Sequence, residues 1–325
     1  MPSSTSGFEP AGTPVTEHCP RLIRRRHIIV ILATLLACAI AIEGGTRFAF
    51  ARISRIERRV TVEHSAAQNL RFSSRVNPIL LVGDSLLLLD VDLTVLAQTL
   101  RTKTQLQRFP IEQTGYLDWL FGLRRLFDEG ARPAVVILCL APDSLVSNTI
   151  QGDYSAFYLY QVKDIPAIAT RARYDLTKES SLFFAHYSLF LAGRSNLRHF
   201  ILNKTFPPYG GVLHNLLTRR TGVTSRGEVL RISEQRFQEL QSLCSSYGAH
   251  LIYVIAPVFR VQEGAILEAG SRAGVPVLAP VHSDEWPLSK FSDGFHLNQA
   301  SAREFTEKLG PGLDSILASY EAAAK

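Results

Sequence analysis

The chain is poor in cysteine, and its four, Cys19, Cys38, Cys139 and Cys244, form no Cys-x-x-Cys pair and lie beside no histidine cluster. That excludes a zinc-ribbon or disulfide-scaffold protein, whose ligands or bridges need repeated cysteines at short spacing. Cys139 sits in an apolar run and Cys244 on the apolar stripe of a helix, so both read as small core hydrophobes. Core burial must hold the fold in any redox compartment. Ligand-spaced histidines are lacking too: His186, His199 and His214 are scattered, while His282, Asp284, Glu285, Arg260 and Glu263 read as solvated loop or rim positions. No metal or cofactor is expected. The net charge is +6, but the excess is carried by arginines near the amino terminus, without interleaved stacking aromatics or a nucleic-acid module. Nucleic acid is therefore excluded as a partner. With 46% apolar and 20% charged residues, 325 residues suffice for one large core or two small ones.

Residues 1–26 read as a disordered tail, rich in Ser, Thr, Pro and Gly up to about residue 20 and ending in Arg21, Arg24, Arg25 and Arg26. Ile28 to Ile42 is an unbroken apolar run. As a helix it rises about 22 Å, short of the roughly 30 Å hydrocarbon core, so a span needs residues 27–49. Two other readings stay open. One is a cleaved signal peptide, with Leu35-Leu36-Ala37-Cys38 resembling a lipoprotein cleavage site; the other is a buried soluble helix. Arginines flank the run on both sides, so charge does not fix orientation. The expectation is a single-pass membrane protein, its tail inside and its main domain extracytoplasmic (periplasmic).

Residues 50–75 read as a polar, arginine-rich connector, and 76–325 as the main domain with an insertion at 145–232. Short apolar runs at Ile79–Val82, Leu106–Ile111, Ala134–Leu140, Leu251–Ala256 and Val275–Leu278 predict buried strands. Between them, Tyr116 to Glu129 carries apolar residues at helical spacing, and Ser233 can cap a helix ending at Gly248. Ser301-Ala302-Arg303-Glu304 has the form of a capping box opening the last helix. Strands alternating with helices predict an α/β fold with a parallel sheet covered on both faces. The insertion is basic and aromatic, including Tyr154, Phe157, Tyr158, Tyr160, Phe183, Phe184 and Tyr187. It either folds over the sheet edge where ligands bind or adds packing layers.

Ligands of parallel α/β sheets gather beyond the carboxyl ends of the strands. Gly83-Asp84-Ser85 stands at the end of the first strand, where a hydroxyl can be presented at a sharp turn. A serine hydroxyl needs a positioned base. After the last strand, Asp293-Gly294-Phe295-His296 supplies a carboxylate and an imidazole three residues apart. The carboxylate can fix the imidazole tautomer while the other nitrogen accepts the serine proton. Each motif alone has a bland reading as a helix-capping turn; their joint presence at the first and last strand ends points to nucleophilic catalysis.

These two motifs, Val82-Gly83-Asp84-Ser85-Leu86 and Asp293 to His296, resemble the first and last blocks of the GDSL/SGNH hydrolase family. The resemblance covers residues 76 to 315 outside the insertion. It implies a three-layer flavodoxin-like sandwich with about five parallel strands, Ser85 as nucleophile, His296 as base and Asp293 as its orienting acid. It also implies an oxyanion hole from the Ser85 and Gly115 amides and an Asn side chain after the third strand. There the chain reads Ala141-Pro142-Asp143-Ser144, and Asp143 would accept rather than donate. Asn148 is the substitute. With an anchor, the pattern looks similar to envelope SGNH proteins that add or remove acyl groups on carbohydrate, some beside a multi-spanning membrane acyltransferase. The expected substrate is an acylated carbohydrate or other ester. Two further readings are a catalytically weak scaffold in a membrane acylation complex and a lipid-directed esterase whose aromatic insertion lies on the bilayer.

Overall fold

A computed structural model describes residues 20–71, 76–194, 198, 205, 225–258, 262–282 and 285–323. The chain divides into two units, Met1–Gly45 and Thr46–Lys325. Helix α1 (Pro20–Ile53) contributes to both. Its stretch Arg25–Phe50 is 26 residues long with mean hydropathy 2.4, and its apolar side chains Ile28 to Ile42 are exposed or nearly so. At 1.5 Å per residue that stretch measures about 39 Å, so the helix is long and apolar enough to cross a bilayer.

The main unit is α/β, built on five parallel strands: β1 (Asn77–Gly83), β2 (Thr104–Pro110), β3 (Val135–Leu140), β4 (His250–Ile255) and β5 (Val277–Leu278). Their order is β2-β1-β3-β4-β5. This is the flavodoxin-like doubly wound arrangement, and its switch point lies between β1 and β3. Alternation of side chains across the strands sorts the core into two layers. Leu80, Val82, Phe109, Trp119 and Leu138 belong to one cluster; Ile79, Leu81, Ile137, Val254 and Phe305 belong to the other.

In chain order the helices of this unit continue with α2 (Arg55–Gln68), α3 (Ser85–Asp90), α4 (Leu93–Thr99) and α5 (Tyr116–Asp128). Four short helices follow: α6 (Pro142–Val146), α7 (Tyr154–Tyr158), α8 (Ile165–Ala172) and α9 (Leu176–Tyr187). The last three are α10 (Arg226–Ser246), α11 (Glu263–Ala273) and α12 (Gln299–Ala323). Helix α3 and α12 cover the face that carries Ile79 and Leu81, while α5 and α10 cover the other.

Three segments differ from expectation. Residues 50–75 are not a plain connector: α2 buries Val60 and Ala67, with Leu70 just beyond it, while Arg59 bonds Glu112 and the Pro110 carbonyl. Helix α10 starts seven residues before Ser233: Ser225 caps it by accepting from the Glu228 amide, and Ser233 is a buried interior residue. The last helix is capped by Asn298, whose Oδ1 accepts from the Ser301 amide and hydroxyl at 3.0 Å each. The described part of the insertion buries Leu145, Leu159, Tyr160, Ile168 and Leu182 in the first core cluster, so it adds a packing layer. The part from 199 to 224, including His199 and His214, lies outside the described residues apart from residue 205.

Candidate active site

Strand β1 ends in Gly83, and only glycine fits there. A Cβ would stand 2.1 Å from the Cys139 carbonyl oxygen on β3, far inside van der Waals contact. The close approach turns the chain at the switch point. Asp84 then caps α3, its Oδ1 accepting from the Leu86 amide at 2.9 Å. Ser85 is the first residue of that helix and is half-buried.

The chain returns to this point 211 positions later. Ser85 Oγ–H donates to His296 Nε2 at 2.9 Å, and His296 Nδ1–H donates to Asp293 Oδ2 at 2.8 Å. Asp293 Oδ1 accepts from the Phe295 and His296 amides at 2.9 and 2.7 Å, closing a tight turn through Gly294 at φ 81°. Ser292 N–H donates to the His296 carbonyl at 2.7 Å, and Phe291 bridges Leu297, so the imidazole rides on a closed loop. The Phe295 and His296 rings meet edge to face, with centroids 5.0 Å apart. Partial burial pushes the Asp293 carboxyl up, but hydrogen bonds from the His296 side chain and the two amides outweigh it and bring it to about 2. An ionised Asp293 fixes the proton on Nδ1, which leaves Nε2 as the acceptor facing the hydroxyl.

Of the five sequence-derived positions, Ser85, Asp293 and His296 are therefore brought together. Among the described residues, no hydrogen bond links Gly115 or Asn148 to these three. The Gly115 amide donates to Asp118 Oδ2 at 2.8 Å, inside a capping box at the start of α5. Asp118 is buried and also accepts from the Tyr160 hydroxyl; loss of solvent raises its carboxyl. Asn148 Oδ1 accepts from Arg236 at 2.5 Å, and Arg236 also donates to the Leu145 and Ser147 carbonyls. The Gly115 amide expected at the oxyanion is thus engaged with Asp118, while Asn148 is held by Arg236 through its oxygen. Asp143 lies exposed in α6, its carboxyl raised by the protein atoms crowding it.

Two residues on segments bonded to the nucleophile turn or to the imidazole loop escaped sequence reasoning. Gln113, in the loop after β2, has a left-handed backbone at φ 60°. That loop is tied to the nucleophile turn: Ile111 N–H donates to the Gly83 carbonyl at 3.0 Å, and Thr114 Oγ1 donates to the Ile111 carbonyl at 2.6 Å. Asp90, at the end of α3, is 1% exposed, and its Oδ1 accepts from the Leu297 amide at 2.9 Å. Burial pushes its carboxyl up to about 8, opposed by that bond and reinforced by Asp84 and Asp293. Burial likewise raises Asp84 to about 7, against the Leu86 amide. The signal for Asp90 was an acid closing an otherwise apolar run, Leu86 to Leu89. Among the described residues, no group of three or more His, Cys, Asp or Glu could hold a metal ion.

No family model matches the chain, and no curated protein matches it. Among solved structures it is similar to a crystal structure of TesA at 12% identity, covering 73% of this chain and 98% of that one with a TM-score of 0.37.

Proposed function

We propose that the chain is a serine esterase or O-acyltransferase working through an acyl-serine intermediate, with Ser85 as nucleophile, His296 as general base and Asp293 as its orienting acid. The observation that carries this reading is the unbroken hydrogen-bond series from Ser85 through His296 to Asp293 at the carboxyl end of β1. In the reaction, Ser85 Oγ attacks the ester carbonyl carbon as its proton passes to His296 Nε2. Collapse of the tetrahedral adduct expels the alcohol, which takes the proton from His296. Water or an acceptor hydroxyl then attacks the acyl-serine, giving its proton to the same nitrogen; collapse breaks the acyl–Oγ bond, and Ser85 Oγ takes that proton back from His296.

The Ser85 amide is the oxyanion donor in this scheme. With the Gly115 amide engaged by Asp118, the donor set is thin, and losing one donor costs about two to three orders of magnitude in rate. Slow transfer to one bound acceptor suits such a site better than rapid hydrolysis. The substrate class that fits an active site on a domain behind an apolar helix is an acylated envelope carbohydrate, with residues 27–49 in the membrane, the main domain extracytoplasmic and a membrane acyltransferase as acyl source. The thin donor set also favours a second reading, a scaffold subunit of an acylation complex that keeps the fold without turnover.

Full-length protein purified in mild detergent and assayed on p-nitrophenyl acetate tests the first reading. Turnover should vanish in Ser85→Ala and in His296→Ala. Wild-type rates in both variants, or no turnover in the wild type, would leave the scaffold reading.

A further inference from the structure

Consecutive residues of the imidazole loop are bonded to opposite ends of one six-residue helix. The His296 side chain meets Ser85 at the start of α3, and the Leu297 main chain meets Asp90 at its end. The loop's own bonds, from Ser292 to the His296 carbonyl and from Asp293 to two amides, fix its shape but not its distance from the serine. Asp293, Gly294 and Phe295 are solvent-exposed and cannot hold the loop down by packing. Leu297 is buried, and its amide reaches Asp90 Oδ1.

We propose that Asp90 is a positioning residue: through the Leu297 amide it sets the separation of the His296 imidazole from the Ser85 hydroxyl. The cost of placing a carboxyl there argues that it has a task. Four leucines precede it, it is 1% exposed, and its Oδ2 is buried with no hydrogen-bond partner. An apolar residue at the end of a short helix would avoid that cost and would leave the buried Leu297 amide without an acceptor. Asp90 touches neither the hydroxyl nor the imidazole, and acts through the main chain of the residue after His296.

The inference rests on the esterase reading, so its test carries two readouts. Full-length wild type, Asp90→Asn, Asp90→Leu and Asp90→Ala are compared in detergent. The first readout is the rate at which a fluorophosphonate labels Ser85; the second is the ¹⁵N shift of the His296 ring, which reports whether Nε2 accepts a hydrogen bond. Asp90→Asn keeps an acceptor oxygen and should label within about threefold of wild type, with unchanged ring shifts. Asp90→Leu and Asp90→Ala lose the acceptor. Misplacement of reacting groups by about 1 Å costs on the order of a hundredfold, so their labelling should fall by that order while the ring shifts move toward those of a free imidazole. Asp90→Leu removes a buried carboxyl and is the variant expected to stay folded if Asp90→Ala does not. Wild-type labelling and ring shifts in Asp90→Leu would overturn the proposal, as would loss of both in Asp90→Asn. A wild type that resists the probe yet shows the expected ring shifts across the variants would overturn the esterase reading and leave Asp90's role standing.

Discussion

Replacing Asp90 by asparagine should change the pH dependence of stability more than stability itself. Burial raises the Asp90 carboxyl from 3.8 to about 8. The folded state therefore holds its proton more tightly than the unfolded chain, and stability falls as pH rises between those two values. Each unit is worth about 1.36 kcal/mol, so a rise of about four units gives a loss of about 5 kcal/mol as an upper bound. Below pH 4 both states are protonated and the contribution disappears; above pH 8 both are ionised and the loss levels off. Asparagine keeps the acceptor for Leu297 and cannot ionise. It also buries an amide nitrogen where no partner stands, a constant cost of about 1–3 kcal/mol. The prediction thus concerns the slope. Urea unfolding of the full chain in detergent, followed by the fluorescence of the buried Trp119 and Trp286, should show the variant gaining several kcal/mol over wild type between pH 4.5 and pH 8. Asp84, raised to about 7, keeps a residual slope in both proteins. A difference between wild type and variant that stays constant across that pH range would refute the reasoning.

Further outcomes follow from single contacts. Gly83→Ala drives a Cβ to 2.1 Å from the Cys139 carbonyl, a backbone atom held in the sheet, so thermal unfolding should show a loss of at least about 1–3 kcal/mol together with lost esterase activity. Asp293→Asn removes the carboxylate that fixes the imidazole tautomer; kcat on p-nitrophenyl acetate should fall by about 10³–10⁴-fold with little change in KM. With Asp293 near 2, the acid limb of a wild-type pH–rate profile should not come from that carboxylate until the pH approaches that value. Gln113→Gly should raise stability by about 0.5–1 kcal/mol, because a left-handed backbone strains any residue with a Cβ; chemical denaturation would measure it.

Much of the fold was legible because each strand is a short apolar run whose neighbours are turn residues. Val135 to Leu140 is buried at every position and could be nothing else in a parallel sheet. The Ser85–His296–Asp293 series was legible from two short motifs: Ser85 closely follows β1, and Asp293 and His296 lie three apart in the turn before the last helix. Helix α2 was not, since its arginines and glutamates hide a narrow buried stripe of Val60 and Ala67. Its partner Glu112 lies 53 positions away from Arg59, a distance no local pattern spans. The Gly115 amide had a readable competitor, Asp118 three residues on, in the spacing of a capping box. The bond that holds the Asn148 oxygen was not readable, because Arg236 comes from a helix 88 positions later. Ser233 misled for a related reason: a serine that looks like a cap from its spacing is instead buried within a helix that begins at Arg226 and is capped by Ser225.

The most direct test of an activated serine is covalent capture. Full-length protein treated with a fluorophosphonate and digested for mass spectrometry should carry the adduct on Ser85, and His296→Ala should lose it. An unmodified Ser85 in the wild type, or labelling of His296→Ala at the wild-type rate, would contradict the account.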